Sequence, residues 1–301
     1  MIPTNLITDP EIIRLAIRQV LKAEPEPLKE DVDFWNRFIG IARKWEIRFY
    51  SGYQGLDGIA KLFKRQGEDA IIKLNSYKLK AIDGEDLVDW NKYEILFEEF
   101  GQLLLPLIAA DYASQELTRL GVIGINFDLA NQNVINFAQE WSVQFGKKFA
   151  ETVNQTTLDM LSKELAEADK LGESIPQITK RIQALFTNMT KERAYMTART
   201  ETMRAQNFGA EQGYIQSGVV EAKRWLAIDD LRTCAFCSYM NGKILVLGGT
   251  WFEQGTSITL PKLVGEGTQT FKFDYEAIKR PPAHPKDRCC LAPVVNEIYL
   301  R

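Results

Sequence analysis

Histidine and cysteine are scarce in this chain. Its 301 residues hold a single histidine, His284, and four cysteines, Cys234, Cys237, Cys289 and Cys290. A hydrolytic centre built on several histidines is therefore excluded, and a Ser-His or Cys-His nucleophile pair would have to use His284 itself. Long apolar runs are missing as well. The richest stretch, Gly101 to Ala110, is interrupted by Pro106 and falls far short of the roughly 20 residues that span a bilayer. The opening Met1-Ile-Pro-Thr-Asn5 lacks the basic and apolar regions of a secretion signal, which points to assembly in a reducing cytoplasm. There a Cys-x-x-Cys serves metal binding or redox chemistry more often than a structural disulfide. A net charge of −3 provides no global field to draw the molecule onto DNA or an anionic membrane. No internal repeat or low-complexity tract is found. A composition that is 45% hydrophobic and 26% charged is that of an ordinary globular chain with enough apolar surface for a core.

What is present reads as α+β: a mainly helical N-terminal two-thirds with long helices, then a small C-terminal α+β module with short strands. Three regions are expected, residues 1–125, a helical arm at 126–173, and the module at 174–301. Asp9 and Pro10 open a first helix with Ile12, Ile13, Leu15, Ala16, Val20 and Leu21 on its apolar face. A second follows Asp31 to Asp33. Tyr50 to Asp89 is mixed, broken by five glycines. Tyr93, Leu96, Phe97, Phe100, Leu103 and Leu104 then recur at helical spacing. The longest stripe runs through Val134, Ala138, Trp141, Phe145, Phe149, Val153, Met160, Leu161, Leu165 and Ala168, and Gly172 ends it. Such a helix would be on the order of 55 Å long, with a bend or break expected at polar Asn154 to Thr157. Ser174 and Gln177 form a capping box for a helix to Phe186, and Thr190 opens another to about Ile215.

Between Lys180 and Arg204 six basic residues (Lys180, Arg181, Lys191, Arg193, Arg199, Arg204) face Glu192 and Glu201, a local net of +4. On the helix Ala194 to Asn207, the residues Arg199, Glu201, Arg204 and Asn207 are candidate interaction residues. They make either a polar contact surface for a partner or DNA, or a polar helix whose buried groups satisfy one another.

After Gly218 the pattern changes. Val219 to Ile228 and Ile244 to Leu247 read as strands, Gly255 to Thr270 as a loop, Phe271 to Phe273 as a further short strand. The module holds few aliphatics, and small modules of that kind need a staple. All five soft ligands lie here, in Arg232-Thr-Cys-Ala-Phe-Cys237 and in Pro281-Pro-Ala-His-Pro-Lys-Asp-Arg-Cys-Cys290. A tetrahedral Zn²⁺ site favours thiolate and imidazole donors, and a Cys-x-x-Cys turn fills two corners. Adjacent cysteines seldom bind one ion together. The expected set is Cys234, Cys237, His284 and Cys289, with Cys290 as the substitute. The competing reading is reduced, partly buried cysteines and a histidine that caps a loop. Four protein ligands leave no open position for water, so such a zinc would be structural and no catalytic residue is expected.

Several motifs in fixed order carry a family resemblance. They are Ala198-Arg-Thr-Glu-Thr-x-x-Ala205-x-Asn207, Lys223-x-Trp225, Asp230-x-Arg232-Thr-Cys234-x-x-Cys237 with Asn241-Gly242, and Pro281-Pro-x-His284-Pro. Over about Ile175 to Val295 the chain resembles the bacteriophage head morphogenesis domain, the family of minor head proteins of the Mu protein F type. The family's usual ending is Pro-Pro-x-His-Pro-x-Cys-Arg-Cys. Here Asp287 stands where the first of those cysteines would be, Arg288 and Cys289 match, and Cys290 is extra. The resemblance implies a minor capsid protein of a tailed phage, taken in few copies into the procapsid and associated with the portal protein inside the head. It implies a virion location after assembly in the host cytoplasm, with major capsid or scaffolding protein as further partners, weak non-specific contact with packaged DNA, and no membrane. The alternatives are a virion-carried metal-dependent nuclease, which the Cys-x-x-Cys and His-Cys clusters loosely suggest, and a DNA-contacting accessory protein using the Lys180–Arg204 stretch.

Overall fold

A computed structural model describes residues 29–76, 83–121, 147–228, 230, 232–274 and 276–295. The expected helix after Asp9, residues 126–146 of the expected arm, and the end of the chain past Val295 lie outside the described residues. The helices are α1 (Lys29–Ser51), α2 (Ile59–Ser76), α3 (Gly84–Leu87), α4 (Trp90–Arg119), α5 (Lys147–Lys170), α6 (Ile175–Asn188), α7 (Ala194–Ser217) and α8 (Ala235–Met240). The strands are β1 (Gly52–Tyr53), β2 (Leu56–Asp57), β3 (Val220–Leu226), β4 (Ile244–Val246), β5 (Ser257–Pro261), β6 (Thr268–Lys272) and β7 (Cys290–Val295). The architecture is α+β, helical first and with a small strand module at the C-terminal end. No helix among the described residues is long and apolar enough to cross a membrane.

The chain divides into two compact units, each drawn from separated stretches. Among the described residues the first takes 29–42, 112–121 and 206–295, the second 43–111 and 147–205. The second unit is helical, with aromatic contacts such as Phe49 on Phe100 and Phe63 on Phe97 in its core. The mixed region after Tyr50 resolves into the β1–β2 hairpin and α2. Gly67 sits inside α2 because the Phe186 ring occupies the place of a side chain; a Cβ there would lie 2.5 Å from that ring. The glycine is a packing requirement, and read in sequence it resembled a helix breaker.

α5 is continuous through Asn154 to Thr157, where a bend or break was expected, so the chain does not break there. Thr156 and Thr157 donate their hydroxyls to the carbonyls of Thr152 and Val153, each at 2.8 Å. Asn154 donates to Trp90 O and accepts from Gln66 Nε2, both at 3.1 Å. Asn154 and Thr157 thus face protein, while Gln155 and Thr156 are exposed. Gly172, at φ 62, ends the segment, with Glu173 N donating to Ala168 O at 3.0 Å. Gln177 Oε1 accepts from Ser174 N at 2.8 Å, closing the capping box of α6. The start expected at Thr190 is instead a π-helical turn, Met189–Arg193, joining α6 to α7. The Thr190 hydroxyl donates to Phe186 O at 2.7 Å and so continues the helix instead of capping one.

In the first unit β3 is the central strand of an antiparallel sheet ordered β4-β3-β7. Its register sets Trp225 opposite Leu291 and Leu226 opposite Cys290. The segment read as a Gly/Thr/Ser loop contains β5, which pairs with β6 as a hairpin. Stretches of α1, α4 and α7 complete the unit. Gln206 Nε2 donates to Phe38 O at 2.9 Å, Tyr214 OH to Leu291 O at 2.9 Å, and Arg224 forms a two-point pair with Asp31.

The fully buried Lys223 binds three oxygens, Glu211 Oε1 at 2.6 Å, Lys279 O at 2.7 Å and Gly249 O at 2.8 Å. Glu211 also accepts from Gly248 N at 3.1 Å and Arg280 at 2.7 Å. One ammonium thereby ties β3, α7 and two loops together. Removing it leaves a buried carboxylate and two carbonyls short of a donor. Lys223→Met is expected to cost about 3–5 kcal/mol of stability, read as a lower denaturation midpoint with an unchanged slope. A loss under about 1 kcal/mol would show that the network contributes little.

Candidate metal centre

The two ligand clusters, about fifty residues apart in sequence, meet in the first unit. Cys234 is the N-cap of α8; its sulfur accepts from Cys237 N at 3.4 Å. Phe236, between the two cysteines, packs edge-on to Trp225 and against Phe273, Phe252 and Phe271. That aromatic core fixes the register of α8 and hence the direction of both thiols.

The second cluster is a loop shaped by Asp287. Only 1% exposed, Asp287 accepts from Ala283 N on Oδ2 at 2.9 Å and from Cys289 N on Oδ1 at 2.7 Å. Asn207 Nδ2 donates to Cys289 O at 3.3 Å, and its Oδ1 accepts from Leu291 N at 2.8 Å, pinning the start of β7. Arg288 forms a two-point pair with Asp230 of the Cys-x-x-Cys loop, one arm measuring 2.7 Å. Burial raises the Asp230 carboxyl, but the hydrogen bonds from Arg288 and from Arg232 N, with the charges of both arginines, together hold it well below the usual carboxylate range.

His284 faces the cysteines. Its Nε2 lies 3.2 Å from Cys234 Sγ and 3.3 Å from Cys237 Sγ. Its Nδ1 lies 2.8 Å from Pro285 O, so Nδ1–H donates there and Nε2 is the ring nitrogen directed at the sulfurs. Cys237 Sγ is 3.6 Å from Asp287 Oδ1. Two donor triads result, Cys234–Cys237–His284 and Cys237–Asp287–Cys289, with donor atoms in each within 4.8 Å of one another. They share Cys237. A tetrahedral zinc with bonds of about 2.3 Å to sulfur and 2.0–2.1 Å to nitrogen separates a sulfur and a nitrogen donor by about 3.5 Å, close to both His284–sulfur distances in the first triad. The donor set fits a soft or borderline divalent cation. Cys290 belongs to neither triad; it is fully buried on β7. Asp287 was not among the expected ligands. The signal for it lay in the family pattern, where it occupies a cysteine position.

Without metal the centre resolves its charge internally. Hydrogen bonds from Cys237 and from His284 lower the Cys234 thiol to about 4. Burial alone would depress His284, but the Cys234 hydrogen bond and the Asp287 carboxylate raise it to about 9. The Cys234 thiolate raises Cys237, as does Cys289. Burial raises Cys289 to about 12.

The four expected interaction residues all have partners within the chain. Arg199 lies 3.8 Å from Glu46, Arg204 donates to Glu201 at 3.2 Å, and Asn207 holds the β7 backbone. In the same basic stretch Arg181 pairs with Glu164 at 2.8 Å and Glu173 at 2.6 Å. Arg193 donates to Thr157 Oγ1 and Val153 O, both at 2.9 Å.

These shifts set a pH dependence. The raised His284 stabilises the metal-free fold fully below about 6.5, and that contribution is lost as pH rises through about 9. The lowered Cys234 contributes fully above its ordinary value, and that contribution is lost as pH falls through about 4. Metal uptake at neutral pH must displace the protons of His284 and Cys237. Calorimetric zinc titrations in buffers of different ionisation enthalpy should therefore give different apparent heats; heats that do not vary with buffer would contradict this charge distribution.

Among known proteins, residues 159–292 match the family described as Phage Mu protein F like protein, a stretch containing both ligand clusters. The uncharacterized protein YqbB of Bacillus subtilis (strain 168) is 25% identical over 170 residues, covering 56% of this chain and 52% of that protein. The chain thus spans about half the length of that relative. No solved structure matches. The similarity to the phage Mu protein F-like family therefore lies in residues 159–292, the segment that carries the centre.

Proposed function

We propose that the chain is a minor capsid protein of a tailed phage, taken in few copies into the procapsid and held near the portal protein inside the head, with zinc as a structural staple of its C-terminal module. The observation that carries this reading is the coincidence of the family match with the convergence of Cys234, Cys237, His284, Cys289 and Asp287 in two donor triads that share Cys237. The site's chemistry favours a staple over a reaction. His284 directs Nε2 at two sulfurs and Nδ1 at a carbonyl, so a role as general base competes with both contacts. A role for the Lys180–Arg204 stretch in DNA binding draws less support. Four of its six cations are engaged by carboxylates or backbone oxygens of the chain itself, leaving Lys180 and Lys191 as the cations for phosphate.

Two measurements test this reading. Mass spectrometry of purified procapsids and of isolated portal complexes should find the chain at few copies per head; heads that lack it would overturn the placement. Elemental analysis of the purified chain should give close to one zinc per molecule, falling sharply in Cys234→Ser, with a lowered melting temperature after chelation. A chain that melts identically with and without chelator would overturn the staple.

A further inference from the structure

The fourth corner of the centre has two claimants, Cys289 and Asp287, both in the triad that shares Cys237. Their surroundings differ. Each Asp287 oxygen already holds a backbone N–H, Oδ2 that of Ala283 and Oδ1 that of Cys289, so the carboxylate is engaged in shaping the loop. Cys289 has the complementary need. Cys289 shares its core cluster with Trp225, a side chain with no exposed surface, and the Trp225 Nε1–H has no hydrogen-bond partner in the metal-free chain. A neutral thiol is a weak acceptor, whereas a thiolate is a good one. A buried donor left unsatisfied costs about 1–3 kcal/mol, so an indole N–H is retained there only if something accepts from it. Metal-bound sulfur at Cys289 would supply that acceptor.

We propose that Cys289 supplies the fourth donor to the metal, that the unpartnered Trp225 indole N–H donates to that sulfur once the metal is bound, and that Asp287 stays outside the coordination sphere as the residue that shapes the loop. This rests on the centre holding a metal, as read above. The closed set would then be three sulfurs and one nitrogen. Formed on metal binding, that N–H···S contact would make Trp225 a positioning residue: it would draw electron density from the sulfur and aim it, the role that outer hydrogen bonds play around other metal ligands.

X-ray absorption of the zinc-loaded full chain should show three sulfurs at about 2.3 Å and one nitrogen at about 2.0–2.1 Å. A shell of two sulfurs and two lighter atoms would overturn the assignment while leaving the metal centre standing, and failure to take up zinc or cobalt would overturn both. With cobalt in place of zinc, Cys289→Ser should lose about a third of the thiolate-to-metal charge-transfer intensity, one donor of three. Asp287→Asn should keep it, and full intensity in Cys289→Ser would overturn the proposal. Trp225→Phe should still bind cobalt with the charge-transfer band moved to lower energy, because the sulfur becomes more electron-rich; an unmoved band would remove the indole's role. If that variant does not fold, the Trp225 indole N–H proton of the wild-type chain decides. It should shift downfield on zinc loading, and an unshifted resonance would overturn the contact.

Discussion

The C-terminal module depends on two loops converging on the sulfur of Cys237. That atom has His284 Nε2 at 3.3 Å and Asp287 Oδ1 at 3.6 Å, and it is the donor common to both triads. Closing a loop of some fifty residues carries an entropic cost that grows only slowly with length, yet something must hold the ends together. Here the ends are held by hydrogen bonds and an ion pair that need no metal. Arg288 reaches Asp230, Asn207 grips the backbone at Cys289 and Leu291, and Asp287 ties Ala283 to Cys289. The donors are therefore brought close by ordinary hydrogen bonds. What those bonds do not supply is positive charge: among the described residues no lysine or arginine pairs with Asp287, and Arg288 is committed to Asp230. Cys237 and Cys289, buried beside the Asp287 carboxylate, are raised and keep their protons at neutral pH, a constraint that a divalent cation removes.

Aromatic packing explains why the loops have a rigid floor. The module has few aliphatic residues, and its core is built from Trp225, Phe236, Phe273, Met240 and Ile278, with Trp251, Phe252 and Phe271 packed against it. Rings of this kind meet edge-on or tilted, as Trp225 does with both Phe236 and Trp251, and such contacts set orientation as well as area. Phe236 and Phe271 also flank the His284 ring, with centroids 6.3 Å and 6.2 Å away. A dry, oriented wall strengthens each electrostatic contact within the site.

Much of this was legible in the sequence, for identifiable reasons. Scarcity made the ligands visible: with one histidine and four cysteines, all in two short stretches, chance clustering is a poor explanation. The ends of α5 and α6 were legible because Gly172, Ser174 and Gln177 act locally. Asp287 was illegible as a buried group because an aspartate between lysine and arginine in a proline-bearing loop has the profile of a solvated turn. Only the fold reveals that two backbone N–H groups point at it. Gly67 misled for the converse reason: its cause, the Phe186 ring, is 119 positions away in the chain.

The basic stretch shows where counting charges in one dimension fails. A local net of +4 over Lys180–Arg204 suggests a phosphate-binding face only if the charges are free to reach solvent. Arg181 finds Glu164 and Glu173, Arg199 finds Glu46, and Arg193 is turned inward onto Thr157 and Val153. Each of these partners except Glu173 lies at least 17 residues away, beyond the reach of a window scan. Burial depresses Arg193 to about 10, which still leaves it charged at neutral pH with neutral oxygens as its hydrogen-bond partners. A cation held in that way contributes to specifying how α5 meets the π turn, since only one arrangement supplies those acceptors. The same logic governs the metal loops, where Asp230, Asp287 and Asn207 are polar groups whose partners are satisfied by one geometry. In both units, then, polar residues that read in sequence as surface act in the fold as constraints on its shape.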